Sequence, residues 1–303
     1  MSHKSANDFR LDHYLEVQRA RVELLLQKRL ESLADRTPAR LLETMRYSLL
    51  GAGKRLRPIL CMGFAEAVGK GVAPGRVTDD AACALEYVHC YSLIHDDLPP
   101  MDDDDFRRGK ATNHKVYGEA MAILGGDALL TEAFGVIVSG AEEVRLNLAR
   151  ELALAAGACG MVGGQALDIA EDRPSDEGYI IRLHRLKTGA LIRAACRMGA
   201  LSAGATVPQL EAAGVYGDCV GLAFQIVDDI LDVTSDPQKL GKPTQRDMSK
   251  GRFTFPKVSG MPRSRALANE RVAMAISALG KAKIEVTPGP LTALARYSVE
   301  REA

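Results

Sequence analysis

The sequence contains no tryptophan and only 7 phenylalanines and 8 tyrosines among its 303 residues. It also has no net charge, because 39 lysines and arginines balance 39 aspartates and glutamates, and this balance argues against a basic nucleic-acid-binding protein. The 6 cysteines include no CxxC pair, which gives no indication of a zinc site or a disulfide framework. Most of them lie among apolar residues, and we interpret them as small hydrophobic residues of a reducing cytosol.

Long hydrophobic segments are also missing. The N-terminal segment MSHKSANDFRLDHYLE has no apolar stretch of the kind found in a signal peptide. The longest run without a charged residue, Leu152 to Leu167, has 16 residues, whereas a membrane-spanning helix needs about 20. We therefore expect a cytoplasmic protein without a membrane span.

What the sequence does contain favours helices. Hydrophobic residues make up 47% of the chain, which excludes intrinsic disorder, and helix-forming residues are abundant while alternating strand patterns are rare. Apolar spacing and Pro or Gly breaks predict a first helix over 8–34, a second that ends at residue 50 and a third that begins at residue 58. Further helices are predicted over 78–98, 116–139, 141–171, 176–203, 207–235, 262–282 and 289–302. We predict a single all-α domain over 1–303, a bundle of about ten or more helices around a central active-site cavity.

Six aspartates lie close together between residues 96 and 105. An isolated aspartate cluster is usually a solvated surface, but the helix that precedes this one, DDAACALEYVHCYSLI, is too apolar for the surface. Carboxylates this close repel one another unless cations neutralise them. Oxygen ligands without neighbouring Cys or His spacing favour Mg²⁺ or Ca²⁺ over zinc.

A second acidic group lies in FQIVDDILD. Its polar residues stand at i, i+3, i+4 and i+7 of a helix that is otherwise apolar: Gln225, Asp228, Asp229 and Asp232. We expect them to form one polar stripe, which must face a partner that satisfies it. Two such motifs can flank a cavity and hold metal ions between them, and neither has the spacing of an EF-hand.

Two basic clusters could bind phosphate beside such metal ions. Mg²⁺ usually binds a few carboxylates together with substrate phosphates, and arginine pairs well with phosphate oxygens. The clusters are residues 54–58 (KRLRP) and 107–110 (RRGK), and either alone would more often be a surface patch. His89 stands two helical turns before Asp96 and is a further candidate, although a lone histidine on an apolar helix is more often a core residue.

These motifs resemble those of the trans-isoprenyl diphosphate synthases, most closely the bacterial farnesyl diphosphate synthases. The shared motifs stand in family order over about residues 40–260: GKRLRP at 53–58, DDLPPMD at 96–102, RRG at 107–109, GGQ at 163–165, KTG at 187–189, FQ at 224–225 and DDILD at 228–232. The two prolines of the first aspartate motif must break the helix to bring Asp102 back towards Asp96.

The resemblance implies a reaction in which an allylic diphosphate ionises, isopentenyl diphosphate attacks the cation and a proton is lost. It implies Mg²⁺ ligands at Asp96, Asp97, Asp102, Asp228 and Asp232. It places isopentenyl diphosphate at Lys54, Arg57, His89 and Arg108, and the allylic diphosphate at Arg107, Lys187 and Lys242. Thr188 and Gln225 would direct oxygen dipoles towards the cation, and a helix kink is expected at Gly189. The family is usually homodimeric.

The resemblance also concerns product length. Tyr91 and Ser92 stand five and four positions before the first aspartate, where family members shape the floor of the product pocket. An aromatic residue at Tyr91 indicates a fifteen-carbon product, farnesyl diphosphate, with geranylgeranyl diphosphate as the alternative.

The chain departs from the family pattern at Ala52, which replaces a glycine, and at Arg252, which replaces a lysine. Asp247 is expected to contact metal through water. The C-terminal end, through Arg296 and Arg301, either packs on the bundle or closes over the site. A terpene cyclase would not need the clamp at Lys54 and Arg57, and an inactive regulatory subunit would have lost an aspartate motif.

Overall fold

The structure is a computed structural model that describes residues 9–234, 254–285 and 289–300. Within these ranges it is almost entirely helical. The helices are α1 Leu11–Ser32, α2 Ala39–Leu49, α3 Leu56–Val68, α4 Arg76–Asp96, α5 Asn113–Tyr117, α6 Glu119–Ile137, α7 Val144–Ala156, α8 Met161–Asp168, α9 Glu177–His184, α10 Ala190–Ser202, α11 Val207–Thr234, α12 Phe255–Ser259, α13 Met261–Lys281 and α14 Pro290–Glu300. A π-helical turn, Arg185–Gly189, joins α9 to α10, and a short hairpin pairs β1 (Phe106–Arg107) with β2 (Lys110–Ala111).

The all-α prediction is confirmed, but three predicted helices are divided. The helix expected over 116–139 is split into α5 and α6 at Gly118, whose φ of 86° is left-handed. The helix expected over 141–171 is broken after α7 at Gly157, where the backbone is extended. The helix expected over 176–203 contains a π-helical turn that ends at Gly189, a local irregularity at the position of the expected kink.

Two helices form the centre of the bundle and carry the aspartate motifs. α4 packs against α3, α6 and α10, while α11 packs against α10, α13 and the π-helical turn. Their apolar residues join one continuous core of buried side chains, to which Phe64 and Tyr216 contribute rings in edge contact at 5.1 Å. The motifs therefore extend from rigid, buried helices and not from loops.

Two of the described helices are apolar enough to cross a membrane by length and composition: α6, with a mean hydropathy of 1.5, and α11, with 1.2. Neither helix is a run without charged residues, so the absence of a long uncharged run in the sequence did not indicate them. Buried core helices meet the same criterion, and 67% of the α11 window is buried in the bundle, against 39% for α6. The two helices are therefore weak evidence for a membrane span.

A pair of glycines lets α11 approach the π-helical turn. A Cβ atom added at Gly221 would lie 2.8 Å from the Cα atom of Gly189, closer than packed atoms allow. This contact brings Gln225, one turn after Gly221, beside Thr188 of the π-helical turn.

We predict that Gly221→Ala destabilises the protein, because the added methyl group must push α11 away from the π-helical turn. Overpacking of this kind costs about 1–3 kcal/mol. Gly280→Ala is the matched control, since Gly280 lies in α13 with no heavy atom within 4 Å of the added Cβ; it should raise stability by about 0.5–1 kcal/mol. Chemical denaturation of both variants measures the difference, and equal stabilities would contradict the close packing.

Candidate active site

The first aspartate motif folds back on the end of α4. The helix ends at Asp96, and the backbone N–H of Asp102 donates to the carbonyl of Asp96 at 2.8 Å. The expected break at the two prolines is therefore present. Burial raises the pKa of Asp96 to about 6, and the neighbouring carboxylate of Asp102 adds to the shift while Lys187 opposes it. The two carboxylates thus form a site of concentrated negative charge.

Asp97 points to a different partner. It is buried, and Nε of Arg107 donates to its two carboxylate oxygens at 2.8 and 2.9 Å. The guanidinium of Arg107, which we predicted to bind diphosphate, is thereby held at the end of α4. The role of Asp97 as a metal ligand stays a prediction.

The hairpin that carries Arg107 also positions Arg108. Arg108 and Gly109 have φ values of 53° and 76°, the left-handed region that two-residue hairpin turns use. Nη1 of Arg108 donates to the carbonyl of Ala52 at 2.7 Å. A Cβ atom added at Gly53 would lie 2.7 Å from the same Nη1 atom. A side chain at Gly53 would therefore displace the guanidinium of Arg108, whereas Ala52 contributes its carbonyl.

The basic residues surround a cavity of about 990 Å³. Its lining brings together most of the predicted isopentenyl and allylic groups with part of the second aspartate motif: Lys54, Arg57, His89, Arg107, Arg108, Thr188, Gln225 and Asp228. Burial lowers the pKa of Arg57 to about 10, which leaves it charged at neutral pH. Burial, followed by the charges of Arg57 and Arg108, lowers the pKa of His89 well below its usual value. His89 is therefore a neutral imidazole within a cationic site.

Hydrogen bonds fix the two predicted oxygen dipoles. The hydroxyl of Thr188 donates to Oε1 of Gln225 at 2.9 Å, and Nε2 of Gln225 donates to Asp229 at 3.2 Å. The other carboxylate oxygen of Asp229 accepts from the backbone N–H of Phe255 at 2.7 Å and lies 3.0 Å from Nε2 of His184. The acidic stripe expected on α11 is therefore divided, because Asp228 faces the cavity and Asp229 is buried behind it.

Lys187 lies in the π-helical turn and is paired with Asp168 at the end of α8. The guanidinium of Arg173 also donates to the carbonyl of Asp168 at 2.7 Å. Because Lys187 lowers the pKa of Asp96, it lies close to the first aspartate motif as well. The lysine therefore stands between an internal carboxylate and the predicted metal ligands.

Tyr91 and Ser92 lie on α4 beside this region. Tyr91 is 6% exposed, and its ring contacts that of His95 edge-on at 5.7 Å. His95 in turn lies 3.1 Å from the carbonyl of Ile123 on α6, so Tyr91 belongs to the layer between α4 and α6. The hydroxyl of Ser92 donates to the carbonyl of His89 at 2.9 Å. Neither residue is among those that line the large cavity, and their role in product length stays a prediction.

Several predicted residues lie outside the described ranges, namely Lys242, Asp247, Arg252 and Arg301. Sequence reasoning also missed Asp168, His184 and the buried pair of Arg55 and Glu86, whose side chains are 2.7 Å apart. A signal for Glu86 was present, since it is the single charged residue between Ala81 and Ile94 of α4 apart from histidine. The partners of the other two are distant in sequence and could not be paired from it.

The described residues contain no group of three Asp, Glu, His or Cys side chains that could hold a metal ion alone. Mg²⁺ nevertheless fits the site, because it commonly binds one or two carboxylates and takes its other ligands from substrate phosphates and water. Asp96 and Asp102 supply two neighbouring carboxylates, and burial together with the charge of Asp102 raises the pKa of Asp96. The opposing arginines would hold the phosphates.

We predict that Gly53→Ala weakens the binding of inorganic pyrophosphate, because the methyl group displaces the guanidinium of Arg108. Loss of one charge-assisted hydrogen bond corresponds to about a tenfold to hundredfold change in affinity. Gly75→Ala is the control, since its added Cβ has no heavy atom within 4 Å. Calorimetric titration measures both variants, and unchanged affinity in Gly53→Ala would show that Arg108 does not bind the anion.

Comparisons with known proteins agree with this arrangement. The family model described as "Polyprenyl synthetase" matches residues 38–286. The chain is 44% identical over 274 residues to a protein named farnesyl diphosphate synthase from Geobacillus stearothermophilus, covering 88% of this chain and 89% of that protein. It is also 44% identical over 277 residues to geranylgeranyl pyrophosphate synthase 3, chloroplastic, from Arabidopsis thaliana, covering 88% of this chain and 75% of the relative.

Solved structures show the same fold. A putative farnesyl-diphosphate synthase from Marinomonas sp. MED121 superposes with a TM-score of 0.80 at 36% identity, covering 96% of this chain and 99% of that one. A geranyltransferase from Legionella pneumophila gives a TM-score of 0.79 at 31% identity, covering 95% of each chain. The family match, the identities and the shared all-α fold lead to one conclusion: the chain belongs to the polyprenyl synthetase family.

Proposed function

We propose that this protein condenses isopentenyl diphosphate head-to-tail with dimethylallyl and geranyl diphosphate to give farnesyl diphosphate. The observation that carries the proposal is the division of charge around the bundle cavity. A cationic group, which includes Arg57 and Arg108, lines the cavity together with Asp228 of the second aspartate motif, and the carboxylates of Asp96 and Asp102 lie near Lys187. Thr188 and Gln225 line the same cavity and are hydrogen-bonded to each other.

The chain's own residues account for each requirement of this reaction. Lys54, Arg57 and Arg108 hold the diphosphate that is retained, and neutral His89 adds a hydrogen bond without adding charge. Arg107 and Lys187 hold the diphosphate that departs. As the carbon–oxygen bond of the allylic substrate breaks, the hydroxyl oxygen of Thr188 and the amide oxygen of Gln225 stabilise the allylic cation.

The double bond of isopentenyl diphosphate then attacks the cation, forming the new carbon–carbon bond, and the released diphosphate accepts the proton lost from the product. Bound Mg²⁺ would supply neutralisation of the charge on the departing diphosphate. The residues that would hold it are those of the two aspartate motifs: Asp96, Asp97, Asp102, Asp228 and Asp232. The chain needs no nucleophilic side chain for this chemistry.

Tyr91 supports farnesyl diphosphate as the product. Its buried ring packs on His95 between α4 and α6 and would block a longer chain if the product pocket extends between these helices. The second candidate is geranylgeranyl diphosphate synthesis, which is favoured by the equal identity of this chain to the Arabidopsis relative.

A cytoplasmic homodimer is also part of the proposal. Ile123 and Leu124 on α6 are 44% and 53% exposed, and apolar residues exposed together on one helix favour association with another subunit. The apolar α6 would then be covered by protein.

We predict opposite effects of Asp96→Asn on activity and on stability. Turnover should fall at least hundredfold, since the carboxylate no longer binds metal. The metal-free protein should become more stable by about 1–3 kcal/mol, because the raised pKa shows that the folded state disfavours the ionised carboxyl. The gain should be largest above pH of about 6 and disappear as the pH falls towards 3.8, where the carboxyl is already protonated.

Radiolabelled isopentenyl diphosphate measures the turnover, and thermal unfolding with a chelator measures the stability. The control is Asp105→Asn, because Asp105 is exposed and paired with Lys115 at 2.7 Å; its activity should equal that of the wild type. Activity of Asp96→Asn within tenfold of the wild type would contradict the two-motif mechanism.

We predict that Tyr91→Ala lengthens the product. Removing the ring opens space between α4 and α6, so that farnesyl diphosphate can re-enter as an allylic substrate. The cavity should lower stability by about 3–5 kcal/mol. Chromatography of the dephosphorylated products under excess isopentenyl diphosphate should show mainly fifteen carbons for the wild type and a large twenty-carbon fraction for the variant.

The wild type itself distinguishes the two candidate products. A wild type that makes mostly the twenty-carbon product would favour geranylgeranyl diphosphate synthesis. An active Tyr91→Ala variant that still stops at fifteen carbons would place the floor of the pocket elsewhere. Absence of diphosphate release from any allylic substrate in the presence of isopentenyl diphosphate and Mg²⁺ would overturn the function.

A further inference from the structure

One arginine of the basic turn, Arg55, lines the large cavity but is hydrogen-bonded to the protein itself. Arg55 stands between Lys54 and Arg57 yet is only 3% exposed. Its Nη1 atom donates to Glu86 of α4 at 2.7 Å, and its Nη2 atom donates to the carbonyl of Gly51 at 2.7 Å. Both terminal nitrogens of the Arg55 guanidinium are therefore hydrogen-bonded within the protein.

The backbone at Arg55 needs such an anchor. Its φ of 51° and ψ of 31° place it in the left-handed region, directly before the first residue of α3. A residue with a Cβ atom is disfavoured there, and surrounding contacts must hold it. Arg55 closes the turn that starts at Gly51, because its side chain bonds back to the Gly51 carbonyl. This backbone conformation of Arg55 sets the directions in which the side chains of Lys54 and Arg57 point from the turn.

Glu86 is the acidic counterpart of the whole cationic group. It is 3% exposed and lies one helical turn before His89. Besides its direct bond to Arg55, its charge opposes the lowering of the pKa of Arg57 and of Arg108 that burial causes. A buried carboxylate beside several arginines keeps them together, since like charges at this separation otherwise repel.

We propose that Glu86 and Arg55 are positioning residues that set the geometry of the isopentenyl diphosphate clamp, and that Arg55 does not bind substrate itself. The proposal rests on the proposed function. Glu86 neutralises the innermost arginine and fixes the turn, so that the remaining charges of Lys54, Arg57 and Arg108 are available to the diphosphate. The allylic site has separate anchors, because Arg107 is paired with Asp97 and Lys187 with Asp168.

The direction of the effect separates positioning from simple electrostatics. If Glu86 acted only as a negative charge near an anion site, Glu86→Gln would tighten isopentenyl diphosphate binding. If Glu86 positions the clamp, the same change weakens it, because Arg55 loses its anchor and the turn relaxes. The two readings predict opposite shifts in KM.

The test uses Glu86→Gln and the double variant Arg55→Met/Glu86→Gln, in which no buried charge is left unpaired. For Glu86→Gln we expect KM for isopentenyl diphosphate to rise about tenfold or more, with KM for the allylic substrate unchanged and Tm lowered. The double variant should recover Tm in part but keep the raised KM, because the bond to the Gly51 carbonyl is lost as well. Glu151→Gln is the matched control, since Glu151 pairs with Arg197 through two bonds of 2.6 and 2.8 Å between α7 and α10; both KM values should be unchanged.

A double variant with the wild-type KM for isopentenyl diphosphate would overturn the proposal, as would a fall in that KM or an equal rise in both KM values for Glu86→Gln. Titration with inorganic pyrophosphate in the absence of metal gives a second readout that needs no prenyl transfer. Weaker pyrophosphate binding by Glu86→Gln would support the positioning role even if the wild type lacked prenyltransferase activity, which would overturn the proposed function alone. Unchanged pyrophosphate binding by an active enzyme would overturn the positioning role alone.

Discussion

Charges of like sign are concentrated around one cavity. This concentration is stable because several of these side chains are paired with opposite charges inside the protein. Arg55 is paired with Glu86, Arg107 with Asp97, and Lys187 with Asp168. The acidic partners lie within α4 (Glu86), directly after its last residue (Asp97) and at the end of α8 (Asp168). An unpaired buried charge would cost several kcal/mol, so the site and the packing of the helices depend on each other.

The same dependence explains why the aspartate motifs differ in their roles. Asp96 and Asp102 are brought together by a backbone hydrogen bond, and burial, with a smaller contribution from the charge of Asp102, raises the pKa of Asp96. Asp229 instead accepts hydrogen bonds from Gln225 and from the backbone of Phe255. The first aspartate motif thus keeps two carboxylates close together, and a bound cation can relieve their repulsion. In the second motif, Asp229 holds Gln225 in place.

The sequence was sufficient for the fold class and for most of the cavity lining, because apolar periodicity and motif order are local properties. It was insufficient where structure depends on a partner distant along the chain. The break of the predicted 141–171 helix at Gly157 and the π-helical turn after His184 reflect packing of α8 and α11 against this region. The division of the stripe on α11 likewise depends on His184, which no spacing rule connects to Asp229.

The hairpin of Arg107 and Arg108 has a consequence for how the two substrates influence each other. Arg107 is bound to Asp97 on one side, while Arg108 is bound to the carbonyl of Ala52 on the other. A single peptide group joins these two residues, and the strands on either side of the turn are only two residues long. Anions that bind Arg107 and Arg108 therefore act on adjacent residues of one short turn, and each competes with a bond inside the protein: the pair with Asp97 or the bond to the Ala52 carbonyl. The order in which the two diphosphate sites fill decides which of these two bonds is exchanged first.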